Sequence, residues 1–532
     1  MINSAAITGF LVFTMLVAII SYLKSRNVTL NSTDALFFAN RSNGYLVVGG
    51  SLFLSNISAN QFIGENESVY INNMSVIGWG ISSVLAMLLV SEFFLPVYLR
   101  YGISTIPEYL EQRYDKSTKH IVTVVFLISY IINLLPPVLY GGAVALTGMF
   151  DIAGYLHVDY WQAIWAMVWV IGLTGATYSM LGGFKAISVS DTLLGLCMLI
   201  IAVIVPYFGL KHLGSGDVTN GVRQLLGNHK SHLNAIGKAT DAVPFTTLFT
   251  GMLIVNVYYW GMEQYIIQQA LAAKSLKDSQ KGIALACLAK LLAPLLINLP
   301  GLIGVHLYRN LQNTAVVYPL LVKDTLPSVC TGLVASVVFG AAITTFNAGL
   351  NSSSTLFILD IYKPYQQRKQ RIVSEIHLVK VSRRFQFVIS LFAMLFAPFI
   401  LFSKNGFYTY LQTVNGLFSV PIFTIVLLGF LHRKISPIAA KTGIVFFMIS
   451  YLLTQFVWHI TLHYLHVISL LFLATATLML VISKIFPPLD IAPLKSHNHV
   501  QLEPWKNRFY YSILLLILMV AVFLVFSPLG IA

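Results

Sequence analysis

Charge is what this sequence has least of. Only 10% of its 532 residues are Asp, Glu, Lys or Arg, against about 25% in a soluble globular chain, and a water-soluble enzyme is excluded on that ground. Cysteine is scarce as well. Cys197, Cys287 and Cys330 lack metal-type spacing and lie in or beside apolar segments, where a buried free thiol needs no further role. No stretch between the apolar segments exceeds roughly thirty residues, below the roughly 40 that a separately folding domain needs. A cytoplasmic catalytic or signalling domain therefore has no room. What remains is 57% hydrophobic, with a mean hydropathy of +0.77, and reads as an all-α polytopic membrane protein.

A helix needs roughly 20 apolar residues to cross the hydrocarbon core. Fourteen stretches qualify: 5–23, 45–64, 74–98, 120–146, 160–179, 187–210, 244–267, 283–305, 329–358, 386–403, 407–431, 438–456, 466–483 and 510–530. The first has no cation before it, and Lys24 and Arg26 follow it. That is the reverse of a cleaved signal peptide and fits a retained helix with its N-terminus outside. Fourteen crossings then fix the side of every loop. Of the 33 Lys and Arg residues, 25 fall in segments assigned inside, 7 outside, and Lys290 lies within a span. The expectation is a multi-pass protein of the plasma (inner) membrane with both termini extracytoplasmic. The formal charge of +14 is thereby a topology signal, and no nucleic-acid partner is needed to explain it.

Polar residues inside apolar spans carry the remaining information, because lipid-facing helices have no use for them. The second stretch holds Ser55-Asn-Ile-Ser-Ala-Asn-Gln-Phe-Ile-Gly64, and the seventh holds Asn256-Val-Tyr-Tyr-Trp-Gly-Met-Glu-Gln-Tyr265. Each opens a set of five spans, 45–210 and 244–431, and five being odd, the second set starts from the opposite side. Two inverted repeats with broken first helices meeting at mid-membrane are the layout of a secondary transporter; helix-to-helix polar glue is the competing reading. In this reading 1–532 is a single membrane domain, with an extra helix at 5–23 and three more over 438–530. The ninth stretch adds Ala341-Ala-Ile-Thr-Thr-Phe-Asn-Ala-Gly-Leu-Asn-Ser-Ser-Ser-Thr355. Its Thr344 and Thr345 suit either a dehydrated cation beside the break at 54–57 or bonds to their own backbone.

In the order and spacing of Ser55 to Gly64, Thr105-Ile-Pro-Glu-Tyr-Leu-Glu-Gln-Arg-Tyr-Asp115, Gly182-Gly-Phe-Lys-Ala-Ile-Ser-Val-Ser-Asp191, Asn256 to Gln268, Leu271-Ala-Ala-Lys-Ser275, Gln280-Lys-Gly282 and Leu350-Asn-Ser352, the chain resembles the sodium:solute symporter family. Within it the likeness is to sodium/sugar (glucose/galactose) cotransporters and their bacterial relatives. The resemblance implies about fourteen helices with a leucine-transporter-like core of two inverted five-helix repeats. It also implies co-transported Na+ bound by backbone carbonyls of Leu54, Ile57 and Ala341 and hydroxyls of Thr344 and Thr345, with Asp191 on the sodium release path. The implied solute contacts are Gln61, Ser83, Asn256, Lys290 and Gln412, with Tyr259 as an aromatic lid and Trp260 beside it. Amides, a hydroxyl, an ammonium and an aromatic face complement a sugar.

Departures from the family pattern bear on specificity. Gly80 stands where galactose-type relatives have the glutamate that grips the sugar, Trp79 where they have Tyr, Asn60 where they have Glu, and Gln269 where they have Arg. Glu263, unusual beside such a pocket, either compensates for the lost carboxylate or contacts Lys290. The expected activity is sodium-coupled symport of a small polar solute, a monosaccharide first, with a proton-coupled or non-sugar (carboxylate, amino acid, polyol) carrier of the same fold as the alternative. No catalytic constellation is present: His459, His463 and His466 sit near an outer interface with no acidic partner in their loop.

Overall fold

The computed structural model describes residues 4–25, 32–402, 407–458, 460–488 and 501–532; Arg26 and His459 lie outside them. Among the described residues there is no strand, only two isolated bridges, Asn43 to Ala273 and Ser275 to Gln501. The helices that position the site are α1 (Ser4–Ser25), α2 (Tyr45–Asn56), α3 (Gln61–Ile71), α4 (Met74–Arg100), α5 (Lys116–Phe150), α6 (Tyr160–Met180) and α7 (Phe184–Leu213). The second half contributes α8 (Gly251–Gly261), α9 (Gln264–Leu271), α10 (Leu276–Leu307), α11 (Ser328–Arg368), α12 (Glu375–Leu401) and α13 (Leu411–Leu431). The last three are α14 (Pro437–Gln455), α15 (Tyr464–Ile485) and α16 (Arg508–Val525).

Twelve of these helices are individually long and apolar enough to cross a membrane, and the bent pair α2 and α3 makes a thirteenth span. The count of fourteen from hydropathy differs at the seventh stretch. There the chain folds as α8 and α9, of 11 and 8 residues, each too short to cross at 1.5 Å per residue. Helical conformation runs without interruption from Tyr160 to Leu213, roughly 81 Å if straight. It is not straight. Tyr178 Oη donates to the carbonyl of Ala186 at 3.0 Å, eight residues on, a reach that requires the chain to double back between α6 and α7. Ser21 of α1 clamps this corner by donating to the same carbonyl at 2.8 Å.

Helix α2 ends at Asn56 because Ile57 leaves helical geometry, at φ −96° and ψ 100°, and α3 departs at 54° to it. The freed backbone groups are satisfied locally. Gln61 Nε2 donates to Asn56 O at 2.9 Å, and Gln61 Oε1 accepts from Ser58 N at 2.8 Å and Ser58 Oγ at 3.0 Å. A break in the bilayer interior is tolerated only with such compensation. α3 is strapped to α10 by Asn66, whose Nδ2 donates to Ile297 O at 2.9 Å and whose Oδ1 accepts from Gly301 N at 2.5 Å. A Cβ on Gly301 would stand 2.5 Å from Asn66 O, so only glycine allows this approach. The outermost helices keep their apolar faces exposed, as at Leu11, Val12 and Met15 of α1 and Ile513, Ile517 and Val520 of α16. Such a surface is stable against lipid tails and not against water.

Candidate functional site

The two helix breaks face one cavity of about 150 Å³, space for on the order of ten water molecules and so for one small solute. All seven solute residues expected from the sequence line it: Gln61 beside the first break, Ser83 on α4, Asn256, Tyr259 and Trp260 on α8, Lys290 on α10 and Gln412 on α13. Their bonding differs. Asn256 Nδ2 donates to Ser82 Oγ at 3.0 Å, and Ser83 Oγ donates to Gly80 O at 2.6 Å. Gln61 is already engaged in holding the break together. Tyr259 and Trp260 meet edge to face at 5.5 Å between ring centres and form the aromatic wall. Tyr259 also bonds the side chain of Asn56, and Lys290 Nζ donates to Asn56 Oδ1. Asn56 is thus the point at which the first broken helix, the second broken helix and α10 meet.

Lys290 is 4% exposed, so it does not snorkel. The carboxylate that acts on it is Glu65 on α3, also a cavity residue, whose Oε2 accepts from Asn298 Nδ2 at 2.9 Å. The contact between Glu263 and Lys290 expected as one option is absent. Glu263 Oε1 accepts from Tyr130 Oη at 2.5 Å and Oε2 from Tyr258 Oη at 2.9 Å. Both its oxygens are therefore committed to phenols on the far side of the break. Gly80 has a structural cause as well. A Cβ there would lie 2.4 Å from Pro294 Cγ, so α10 occupies the space where a larger residue at this position begins.

Sequence reasoning missed Glu65, Asn56, Tyr130 and Asn133. Glu65 fell one residue beyond the span boundary drawn at 64. Tyr130 and Asn133 sit in a widened π turn of α5, Tyr130–Leu134, a local insertion that often marks functional positions and that apolar periodicity does not show. The detectable signal was the lone Asn133 amide in the otherwise apolar fourth stretch. Three buried oxygens that line the cavity, Asn60 Oδ1, Asn133 Oδ1 and Thr345 Oγ1, have no hydrogen-bond partner among the described residues. Buried polar atoms seek a partner, which in a cavity is water or a bound solute.

Behind the cavity, Asp191 of α7 is fully buried and is in no ion pair among the described residues. Ser55 Oγ donates to Asp191 Oδ2 at 3.2 Å, and Thr344 bonds the same carboxylate. Gln269 extends the chain of contacts, donating from Nε2 to Ser55 Oγ at 3.1 Å. Asp191 therefore ties the end of α2, just before the break after Asn56, to the α11 segment that carries Ala341, Thr344 and Thr345. The competing backbone role of Thr344 is also present, since its hydroxyl lies 3.3 Å from Ala341 O. Thr345 keeps its hydroxyl free of such a bond. Of the histidines expected near an outer interface, His463 Nε2 meets Ala242 O at 3.3 Å and His466 Nε2 meets Thr246 Oγ1 at 3.1 Å, and burial holds the pKa of His463 down at about 4. Among the described residues no cluster of His, Cys, Asp or Glu is arranged to hold a metal ion.

The sodium:solute symporter family model matches residues 36–446. The chain belongs to the sodium:solute symporter family. The symporter is 39% identical to the uncharacterized symporter YidK of Escherichia coli (strain K12) over 98% of this chain and 91% of the relative. It is 31% identical to a sodium/glucose cotransporter of Vibrio parahaemolyticus over 82% of each. In three dimensions it matches a Na+-coupled sialic acid symporter, solved substrate-bound and outward-open, with a TM-score of 0.79 at 18% identity, covering 92% of this chain and 100% of that one. The symporter therefore has the leucine-transporter-like fold of sodium-coupled carriers, is a transporter and not an enzyme, and takes sodium as its co-transported ion.

Proposed function

We propose that this symporter imports a small, uncharged, polyhydroxylated solute, a monosaccharide first, with sodium. The observation that carries this reading is the pair of unpartnered amide oxygens, Asn60 Oδ1 and Asn133 Oδ1, in a cavity walled by Tyr259 and Trp260. Acceptors of this kind want hydroxyl donors, and the aromatic face suits the weakly apolar side of a sugar ring. Fixed charge argues the same way. The cavity's one cation among the described residues, Lys290, faces the carboxylate of Glu65, and Glu263 is held by hydrogen bonds from two phenols, so no uncompensated cation is left to receive an anionic solute.

In this reading carbonyls of Leu54, Ile57 and Ala341 with hydroxyls of Thr344 and Thr345 hold sodium, and Asp191 lies on its exit. Ion binding fixes the geometry of the break after Asn56; Asn56 in turn holds Lys290 and Tyr259, so the filled ion site sets the solute site. Segments 45–210 and 244–431 act as the two inverted repeats, and the protein sits in the plasma (inner) membrane with both termini outside. One sodium ion falling through about 100 mV yields about 2.3 kcal/mol, and a tenfold gradient yields about 1.4 kcal/mol more. At one-to-one coupling these sustain roughly 500-fold accumulation of a neutral solute.

The test is uptake by purified protein in liposomes, with labelled monosaccharides, polyols, amino acids and carboxylates under imposed sodium, lithium or proton gradients. Sodium-driven uptake of a monosaccharide is expected. Uptake of carboxylates or amino acids alone would overturn the solute class, and uptake driven by protons without sodium would overturn the coupling. Replacing Thr344→Ala together with Thr345→Ala should raise the sodium concentration for half-maximal uptake roughly tenfold or more, since each hydroxyl contact to a cation is worth about 1.5 kcal/mol or more. An unchanged sodium dependence would take both residues out of the ion site.

A further inference from the structure

A second polar cavity, of about 410 Å³, lies where α5 begins and α11 ends. It is remote from the solute site and differs from it in charge. Lys116, Lys119 and His120 from the first turns of α5, and Lys363, Gln367 and Arg368 from the end of α11, line it, with Glu111 as the acid. Lys119 is spoken for: its Nζ lies 2.7 Å from Glu111 Oε2 and 3.1 Å from Asp360 Oδ1, and Thr105 Oγ1 donates to Asp360 Oδ2 at 2.9 Å. Lys363 reaches Glu375 only at 3.8 Å, with both side chains about two-fifths exposed, a contact of little strength. Lys116 and Arg368 are in no ion pair among the described residues, and Arg368 Nη2 instead approaches His120 Nε2 at 3.4 Å. Glu111 and the buried Asp360 thus take up the charge of Lys119 and leave Lys116, Lys363 and Arg368 as the cations of the cavity.

Position decides what this rim meets. Lys116 is the first residue of a 35-residue apolar helix and Arg368 the last of a 41-residue one, both longer than the roughly 20 residues that cross the hydrocarbon core, so these ends project from the hydrocarbon among or beyond the headgroups, whichever side of the membrane that is. Asp115, the acid that caps α5 at this end by accepting from Thr118 N at 2.6 Å, is already paired with Lys441 at 2.9 Å. Basic pockets between spans at this depth take anionic headgroups.

We propose that this cavity binds a phosphate anion, presented by the headgroup of an anionic phospholipid. Lys116 and Arg368 contribute the charge, His120 and Gln367 donate hydrogen bonds, and the ion pairs of Lys119 to Glu111 and Asp360 form the rigid floor.

The test uses the full-length protein in neutral detergent. Its melting temperature is followed while short-chain phosphatidylglycerol, short-chain phosphatidylcholine or inorganic phosphate is added, for the wild type and for the double variant Lys116→Ala/Arg368→Ala. Saturable stabilisation by phosphatidylglycerol, weakened roughly thirty-fold in the double variant, is expected. Saturable stabilisation by inorganic phosphate, with the same loss in the variant, assigns the phosphate site to the free ion. If the double variant does not fold, Gln367→Glu places a negative charge in the same cavity and should weaken binding in the same way. Equal stabilisation by phosphatidylcholine, or an effect of phosphatidylglycerol that neither variant changes, would overturn the proposal.

Discussion

Replacing Lys290→Met should lower sodium-driven uptake by roughly two orders of magnitude or more, because breaking one partner out of a buried charged cluster costs about 3 to 5 kcal/mol. The substitution keeps the length and apolar stem of the side chain and removes the ammonium. Asn56 then loses the donor on its Oδ1, and the Glu65 carboxylate, 6% exposed, loses its counter-charge. These two losses are separable. Adding Glu65→Gln to Lys290→Met removes the stranded anion and keeps a side chain able to accept from Asn298, so the melting temperature should return toward that of the wild type. Uptake should stay low in the double variant, since no ammonium is left at Asn56 or in the cavity. Near wild-type uptake by Lys290→Met would show that the ammonium serves neither the solute nor the break. Recovery of uptake in the double variant would reduce Lys290 to a counter-ion for Glu65.

The sequence exposed this architecture unevenly, for physical reasons. Long spans such as 329–358 and 510–530 were legible because lipid imposes unbroken hydrophobicity, and the breaks were legible because Ser55 to Gln61 and Asn256 to Gln264 violate it. The full lengths of helices were not: α11 continues through π and α geometry to Arg368, carrying Asp360 and Lys363 into what hydropathy scores as loop. The turn between α6 and α7 was placed by the gap between the apolar stretches 160–179 and 187–210, but the clamp by Ser21 depends on a neighbour 165 residues away. At the site, which polar residues gather was legible from their types and spacing, whereas how their hydrogen bonds are distributed was not. Gln61 is indistinguishable in sequence from a solute ligand, yet its amide is spent on Asn56 and Ser58. Glu263 invites pairing with Lys290, yet two tyrosines, one from α5 and one from its own helix pair, lie closer. Such choices are settled by packing distances of a few tenths of an ångström, which residue order does not carry.

That arrangement around Glu263 leads to the second large effect, a collapse of the lid support in Glu263→Ala. Glu263 sits in the break between α8 and α9 in extended geometry, φ −65° and ψ 114°, and ties Tyr130 of α5 to Tyr258 of α8. Tyr130 Oη in turn accepts from Tyr265 N at 3.3 Å, and the Tyr265 hydroxyl meets that of the lid residue Tyr259 at 2.7 Å. Through two intermediate tyrosines the carboxylate thereby holds Tyr259, the proposed lid, and although Glu263 lines the cavity both its oxygens are taken by phenols, which makes it a positioning residue in this reading. Glu263→Ala leaves two buried phenols without acceptors at about 1 to 3 kcal/mol each, so a lowered melting temperature and a loss of maximal uptake of more than tenfold are expected. Glu263→Gln retains one acceptor oxygen and should keep sodium-driven uptake at a reduced maximal rate. Abolition of uptake by Glu263→Gln, together with a proton requirement in the wild type, would instead make Glu263 a proton carrier. Replacing both donors as well, in Glu263→Ala/Tyr130→Phe/Tyr258→Phe, removes both stranded phenols and leaves only Tyr265 N without its acceptor, so most of the lost stability should return. The triple variant should therefore melt close to the wild type yet transport poorly, because Tyr265 and Tyr259 have lost the anchor that sets the lid; wild-type uptake by this variant would refute the positioning role.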